Sequence, residues 1–458
     1  MLNWEIFLEK LKYKKIAVFG LGKSGLSTVR ACVDNGLGVC VWDDSESQCN
    51  AAKALGAEIL DLVTADLSGF DYIILAPGIH YTYEPHPVVV NAQKHNLKII
   101  GDIELLHKVG IPCKTIGITG TNGKSTTTAL MTHILNENDT HAVMAGNIGI
   151  PVFDIDFSER IDFLVLELSS YQLDLCPDFR PDYSMLLNIS SDHLDRHGSM
   201  EEYVNSKSKI LEGEGFAVID IDDDFTQVLF DKNFIEGKRK YIPVSVHHEI
   251  PEGYFVRNSI LYQNKQGQTQ ALGSLKDLAT LKGAHNFQNI LCAYVVSKEI
   301  GLVDHGIFDA LKSFSGLPHR QYLVCQKDNI SFVNDSKATN AEAAAKALSS
   351  YEDIYWIVGG QPKENGLQGL EIFKDKIVKT YLIGEATEAF SQWFDTHNFI
   401  YEAFDNLEAA TKRAYVEAKQ FDANATVLLS PACASWDQFG SFEERGNNFS
   451  EIIKKITA

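Results

Sequence analysis

The chain has 458 residues, 45% of them hydrophobic, and a formal net charge of -20 at pH 7. Such a length accommodates about two to four domains, each with its own core. The acidic balance excludes sequence-independent nucleic-acid binding, which needs a basic surface, and leaves any anionic substrate to be held by local cationic groups. The eight cysteines, at 32, 40, 49, 113, 176, 292, 325 and 433, form no C-x-x-C pair. Neither a zinc pattern nor a disulfide framework is expected, and a reducing compartment is. Residues 1–15 hold no signal-peptide h-region, and there is no apolar run of about 18 residues, so no membrane span and a cytoplasmic location are expected.

The first predicted strand is residues 15–19. Gly20-Leu21-Gly22-Lys23-Ser24-Gly25 follows, then a helix to about 34 and a strand at 39–42 closed by Asp43. This is a dinucleotide fingerprint with its acidic residue. It predicts a Rossmann-like domain that puts a diphosphate on the glycine turn and a ribose or base near Asp43; taken alone it would predict an NAD enzyme. Residues 72–75 form another strand, and Ala76-Pro77-Gly78 turns at its carboxyl end, where ligands of open α/β sheets bind. Residues 98–100 are a further strand, and Gly101-Asp102 reads as a domain boundary.

A strand at 115–119 then runs into Gly120-Thr121-Asn122-Gly123-Lys124-Ser125-Thr126, and residues 125–136 are helical by pattern. Strand, glycine turn, Lys-Ser and helix together form a phosphate-binding loop. Backbone N–H groups and the helix N-terminus receive phosphate oxygens, Lys124 reaches the β- and γ-phosphates, and Ser125 offers a hydroxyl to Mg²⁺. The usual first glycine is replaced by Ile118. Ala145-Gly146-Asn147-Ile148-Gly149 is a turn in which a backbone could approach a ligand. Residues 162–168 form a strand buried on both faces, ending on Glu167, a carboxylate costly to bury unless paired or metal-bound.

A strand at 183–187 leads to Asn188-Ile-Ser-Ser-Asp-His-Leu-Asp-Arg-His197, dense with metal or phosphate ligands, Asp192 being a candidate N-cap. In the following helix Tyr203 and Lys207 share a face, although a lysine there is usually solvated. Residues 283–289 open what reads as the last helix of the central domain. Asn286 and Asn289 lie one turn apart, where carboxamides can read an adenine edge or Asn286 can cap the helix. Ser315-Gly316-Leu317-Pro318-His319-Arg320 reads as a hinge. Strands near 322–325, 330–333, 354–358, 380–383 and 426–429 predict a second doubly wound sheet. Polar loops follow three of them, at 334–340, 359–363 and 430–439, and should share one rim.

Taken together these stretches resemble the ATP-dependent Mur ligases of peptidoglycan synthesis over nearly the whole chain. The shortened loop Gly120-Thr-Asn-Gly-Lys-Ser-Thr is similar to that family's own variant. So are Glu167-Leu-Ser-Ser-Tyr-Gln-Leu173, 188–196, His285-Asn286 with Asn289, and Leu317-Pro-His-Arg320. Asn334-Asp-Ser-Lys-Ala-Thr-Asn340 and Ser430-Pro-Ala-Cys-Ala-Ser-x-Asp-Gln-Phe439 resemble the D-glutamate-adding branch, and the Asp-Asn-Pro-Arg signature of the diaminopimelate/lysine-adding sibling is absent.

The resemblance implies three α/β domains: a Rossmann-like domain (1–101) for a UDP substrate, a central P-loop ATPase-like domain (102–316) with a mostly parallel sheet, and a C-terminal Rossmann-like domain (317–458) for the incoming amino acid. It implies UDP-N-acetylmuramoyl-L-alanine, D-glutamate and ATP as substrates, an acyl-phosphate intermediate and two Mg²⁺ ions. Lys124, Glu167, His193 and Lys207 would be catalytic. One ion would sit on Ser125 and Glu167, the other on His193 and Lys207, the lysine carried as a carbamate. ATP would lie on 120–126 with Asn286, Asn289, Arg320 and Asp335. The UDP substrate would lie on Lys23, Ser24, Asp43, Ala76, Pro77, Gly78, Asn147 and His193. D-Glutamate would meet Lys337, Thr339, Lys363, Ser435 and Phe442. A monomer is expected. The competing readings are a sibling or folate-glutamating ligase, an NAD-dependent oxidoreductase, and a nucleotide-binding regulator without turnover.

Overall fold

Three β-sheets carry the chain in the computed structural model, which describes every residue except 277, 279, 282, 363–365, 422 and 458. Two compact units are formed: Met1–Lys276 with Ala284–Leu311, and Asp277–Gly283 with Lys312–Ala458.

The first unit holds two sheets. One comprises β1 (Lys15–Phe19), β2 (Gly38–Trp42), β3 (Glu58–Ile59), β4 (Tyr72–Leu75) and β5 (Lys98–Ile100). Its order is β3-β2-β1-β4-β5, and all pairs are parallel. Alternate residues bury on opposite faces. Ile16, Val18, Val39, Val41 and Ile74 enter one cluster, and Ala17, Phe19, Cys40, Ile73 and Leu75 enter another. A sheet buried on both faces selects apolar runs of this kind.

The other sheet comprises β6 (Lys114–Thr119), β7 (Ala142–Gly146), β8 (Phe163–Glu167), β9 (Tyr183–Leu186), β10 (Phe216–Asp220), β11 (Lys240–Ser245), β12 (Gly253–Arg257), β13 (Ile260–Lys265) and β14 (Gln268–Ser274). Its order is β14-β13-β12-β11-β10-β9-β6-β8-β7, with β12, β13 and β14 joined antiparallel. β7 and β10 to β14 were not read from the sequence, and the polar residues Gln263, Asn264, Gln268 and Gln270 give β13 and β14 little apolar alternation. The helix Ala284–Ile300 is not the last before the hinge, because Asp304–Ser313 follows it.

The second unit holds β15 (Tyr322–Lys327), β16 (Ile330–Asn334), β17 (Ile354–Gly359), β18 (Ile377–Ile383), β19 (Tyr401–Phe404) and β20 (Ala425–Leu429). Their order is β15-β16-β20-β17-β18-β19. β15 is antiparallel to β16 and the others are parallel, so the doubly wound sheet carries one reversed edge. Trp356, Val358 and Leu428 pack on one face, and Tyr355, Ile357 and Leu429 on the other.

The glycine turn after β1 is a packing device. A Cβ on Gly25, in the first turn of the helix Lys23–Asp34, would stand 2.1 Å from the Gly20 carbonyl oxygen. Replacing glycine by alanine in a helix normally stabilises it by roughly 1 kcal/mol, whereas an overpacked buried site costs about 1–3 kcal/mol. Gly25→Ala is therefore expected to lower the urea midpoint. A raised midpoint would show that helix and turn do not approach as described.

Candidate functional site

Strand β6 delivers the chain to a loop set by two glycines. Gly120 has φ +155°, and Gly123 has φ +83° as the left-handed N-cap of the helix Lys124–Asn136. A Cβ on Gly123 would lie 2.4 Å from Asn289 Oδ1. Ile118, standing where the usual first glycine would be, is buried inside β6. The loop is short because the strand runs on to Thr119.

Two lysines converge on one oxygen. Lys124 Nζ donates to the Gly120 and Thr121 carbonyls at 2.8 Å each, and Lys207 Nζ donates to the same Gly120 carbonyl at 2.8 Å. Lys207 is 1% exposed, so the usual solvated lysine is not what stands here. Burial first, and the Lys124 charge second, hold its amine well below the ordinary lysine range. Tyr203 lies on the same helical face. The Lys207 ammonium sits 4.7 Å from its ring centre, and its hydroxyl is 3.0 Å from Thr121 Oγ1.

Glu167, at the end of β8, is 1% exposed. Its Oε1 accepts from Asn147 Nδ2 at 2.8 Å, and its Oε2 has no hydrogen-bond partner. A buried carboxylate oxygen left without a partner is costly. Together with the Ser125 hydroxyl it fits a hard cation such as Mg²⁺, which takes one or two protein oxygens and completes its shell with phosphates and water. Among the described residues no three His, Cys, Asp or Glu side chains form a metal cage. Protonated Lys207 has no lone pair for a cation, whereas as a carbamate it would present oxygens to one. His193 itself is the N-cap of the short helix Leu194–His197, with φ +54° and its Nε2 3.3 Å from Asp192 Oδ2; the capping expected of Asp192 does not occur.

The expected close approach at 145–149 is protein against protein. Cβ atoms on Gly146 and Gly149 would meet the Glu167 and Met144 carbonyls at 2.3 and 2.4 Å. Asn286 and Asn289 lie buried inside the helix Ala284–Ile300, so Asn286 does not cap it. Asn289 Nδ2 donates to Asn286 Oδ1 at 3.3 Å, while Asn289 Oδ1 has no hydrogen-bond partner. Asn188 was read only as part of a motif. It accepts from the Asn122 N–H at 2.8 Å, donates to the Asn122 carbonyl at 3.2 Å, and is itself held by Gln288 at 2.7 Å.

In the first sheet, Lys23 and Ser24 start a helix at the end of β1. Both oxygens of Asp43 are engaged by backbone, accepting from Leu21 N–H at 2.6 Å and Ser45 N–H at 2.9 Å. Asp43 thus holds the glycine turn in shape. The turn at Ala76, Pro77 and Gly78 is held by Arg196, a residue with no role assigned from the sequence. Its guanidinium donates to the carbonyls of Pro77 at 2.9 Å, Gly78 at 3.0 Å and Ile79, and stacks 4.6 Å over Tyr171.

In the second unit, Arg320 is exposed and Asp335 is 6% exposed. Asp335 accepts from Ser430 Oγ at 2.7 Å and Gln321 N–H at 3.0 Å. Lys337 and Thr339 are half-buried, and the Lys337 ammonium lies 4.0 Å from the Phe442 ring centre. Ser435 is buried at the end of β20's loop. Lys363 lies outside the described residues. Arg445, fully buried and bonded to the loops around these residues, was not singled out in the sequence.

Comparison with known proteins follows the same outline. The description "Mur ligase MurD-like, N-terminal domain" matches residues 14–101, and "Mur ligase middle domain" matches 118–297. UDP-N-acetylmuramoylalanine--D-glutamate ligase of Rhizobium meliloti is 43% identical, with 96% of each chain covered. The protein of the same name from Phenylobacterium zucineum is 41% identical, over 97% of this chain and 96% of its own. Among solved structures, the UDP-N-acetylmuramate-alanine ligase MurC of Thermotoga maritima superposes with a TM-score of 0.57 at 18% identity, covering 96% of this chain and 99% of its own. That likeness shows the fold alone.

Burial pushes the Asp335 carboxyl up to about 7 from 3.8. Between those values the folded state keeps a proton that the unfolded chain has lost, so stability falls as pH rises from about 4 to 7 and levels off above. Three pH units correspond to at most about 4 kcal/mol. Urea midpoints followed by tryptophan fluorescence are expected to fall across that window and to flatten in Asp335→Asn. An unchanged slope in the variant would assign the pH dependence elsewhere.

Proposed function

The chain belongs to the Mur ligase family, and on that premise we propose that it joins D-glutamate to UDP-N-acetylmuramoyl-L-alanine with consumption of ATP. The near-full-length relatives named for that reaction support it. The observation that carries it is the meeting of Lys124 and Lys207 on the Gly120 carbonyl. A loop lysine and a second, buried lysine of lowered proton affinity at the mouth of a phosphate loop, beside a buried carboxylate lacking a partner, suit phosphoryl transfer to a carboxylate.

In the proposed reaction the L-alanyl carboxylate takes the γ-phosphoryl group of ATP, giving an acyl phosphate and ADP. The amine of D-glutamate then displaces phosphate and a peptide bond forms. Lys124 neutralises the charge that builds on the transferring group, and the N–H groups of 120–126 orient the phosphates. Ser125 and Glu167 would hold one Mg²⁺, and His193 with a carbamylated Lys207 a second. Bound Mg²⁺ supplies charge neutralisation to the phosphates. The lowered proton affinity of Lys207 supports the carbamate, because only a neutral amine attacks CO₂.

The remaining assignments belong to the same proposal. Domains of 1–101, 102–316 and 317–458 bind the UDP substrate, ATP and the amino acid. Lys23, Ser24, Asp43, the Ala76-Pro77-Gly78 turn, Asn147 and His193 serve the UDP substrate. Asn286, Asn289, Arg320 and Asp335 serve ATP. Lys337, Thr339, Lys363, Ser435 and Phe442 serve D-glutamate, with a lysine pairing a carboxylate. The enzyme works in the cytoplasm as a monomer.

Phosphate release from ATP and UDP-N-acetylmuramoyl-L-alanine is expected to require D-glutamate and to fail with L-glutamate, L-lysine or meso-diaminopimelate. Equal turnover with L-lysine would replace this assignment by that of a sibling ligase. Lys207→Ala is expected to lose most activity and to regain part with added formate or acetate at constant ionic strength, whereas Lys124→Ala, which lacks a cation, regains none. Near-normal activity of Lys207→Ala without additive would remove the carbamate from the mechanism.

A further inference from the structure

Arg445 lies in the helix Phe442–Thr457, is 1% exposed, and makes no ion pair among the described residues. Its guanidinium is spent on four neutral oxygens. Nε donates to Ser336 Oγ at 2.9 Å, Nη2 to the Ser336 carbonyl at 2.9 Å and the Cys433 carbonyl at 3.0 Å, and Nη1 to the Ala434 carbonyl at 3.2 Å. A buried charge without a counter-charge is expensive, and structures that carry one hold it by many hydrogen bonds. Burial lowers the guanidinium only to about 10, so it stays protonated at neutral pH. Asp437 acts on it through its field and makes no hydrogen bond to it.

Its partners lie on the loops that leave the carboxyl ends of β16 and β20, and through Ala434 they reach the loop after β17. Ser336 stands next to Lys337, and its hydroxyl passes the bond on to the Phe442 carbonyl at 2.8 Å. Cys433 and Ala434 precede Ser435. Ala434 is paired with Gln361, N–H to carbonyl in both directions at 2.9 and 3.0 Å, and a Cβ on Gly360 would lie 3.0 Å from Arg445 Nη1. One side chain therefore sets the separation of Lys337, Ser435, Phe442 and the Gly360-Gln361 turn.

We propose that Arg445 is the positioning residue of the amino-acid site. Its planar fork fixes the three loops, and its uncompensated charge makes their rim selective for an anionic amino acid. The inference rests on the reading of these loops as the D-glutamate site. Lysine cannot replace the fork, since its ammonium is a point charge without the fixed geometry that serves four acceptors.

The test is steady-state kinetics of the full-length enzyme, varying each substrate in turn. Ser336→Ala, a small change that keeps the buried charge, is expected to raise the KM for D-glutamate about 10-fold and to leave the KM values for ATP and the UDP substrate within about twofold. Arg445→Lys and Arg445→Met are expected to raise it about 10-fold and 100-fold respectively, with the salt dependence of that KM weakened only in the methionine variant. Ser336→Ala decides the matter if the methionine variant does not fold. An unchanged KM for D-glutamate in Ser336→Ala and Arg445→Lys, or an equal loss for all three substrates, would overturn the inference. If the wild-type enzyme takes a different amino acid, the D-glutamate reading fails separately, and the same comparison is made with the KM for that amino acid.

Discussion

The Gly120 carbonyl accepts from two lysine side chains, and the glycine-loop end of the first unit is arranged around that fact. Lys124 comes from the helix that the phosphate loop opens, and Lys207 stands 87 residues beyond Gly120 in another helix. Around the loop Asn188 grips Asn122, Tyr203 meets Thr121, and Asn289 packs on Gly123. Each contact stiffens the loop from a different direction, which is how oriented N–H groups are kept ready for phosphate without reorganisation.

The glycines of the first unit do two separate jobs. Gly123 takes a left-handed conformation that the loop needs. Gly25 is there because the Gly20 carbonyl occupies the space of a side chain, and Gly146 and Gly149 meet both demands, with φ +99° and +85° and the Glu167 and Met144 carbonyls in that space. Asp43 belongs with the second group in spirit: a residue expected to face a ribose is also the acceptor that shapes the glycine turn. Residues of a binding fingerprint are often the ones that make the fingerprint's own backbone possible.

Buried charge in the second unit follows the same logic with the sign of the problem changed. Asp335 is buried against a hydroxyl and an N–H and resists ionisation, while Arg445 keeps its proton and spends it on four neutral oxygens. Both groups tie strand ends to neighbouring loops. Their cost in desolvation is offset by the hydrogen bonds they make at this rim.

The sequence by itself determined what is local. β1, β4, β5 and the phosphate loop were legible because apolar runs closed by glycine leave few other conformations, and the motifs around Glu167, Asn188 and Ser430 were enough to expect the family. β13, β14 and β19 were not legible, since exposed or edge strands need no apolar alternation. The burial of Lys207, the grip of Arg196 on a turn 117 to 119 residues away, the Asn188–Gln288 pair 100 residues apart and the reach of Arg445 across 109 residues to Ser336 were decided only by the tertiary structure. A charged side chain carries no mark in the sequence of whether it will be solvated or enclosed. That is set by which backbone oxygens folding places within its reach, and those oxygens belong to segments that no short-range pattern connects.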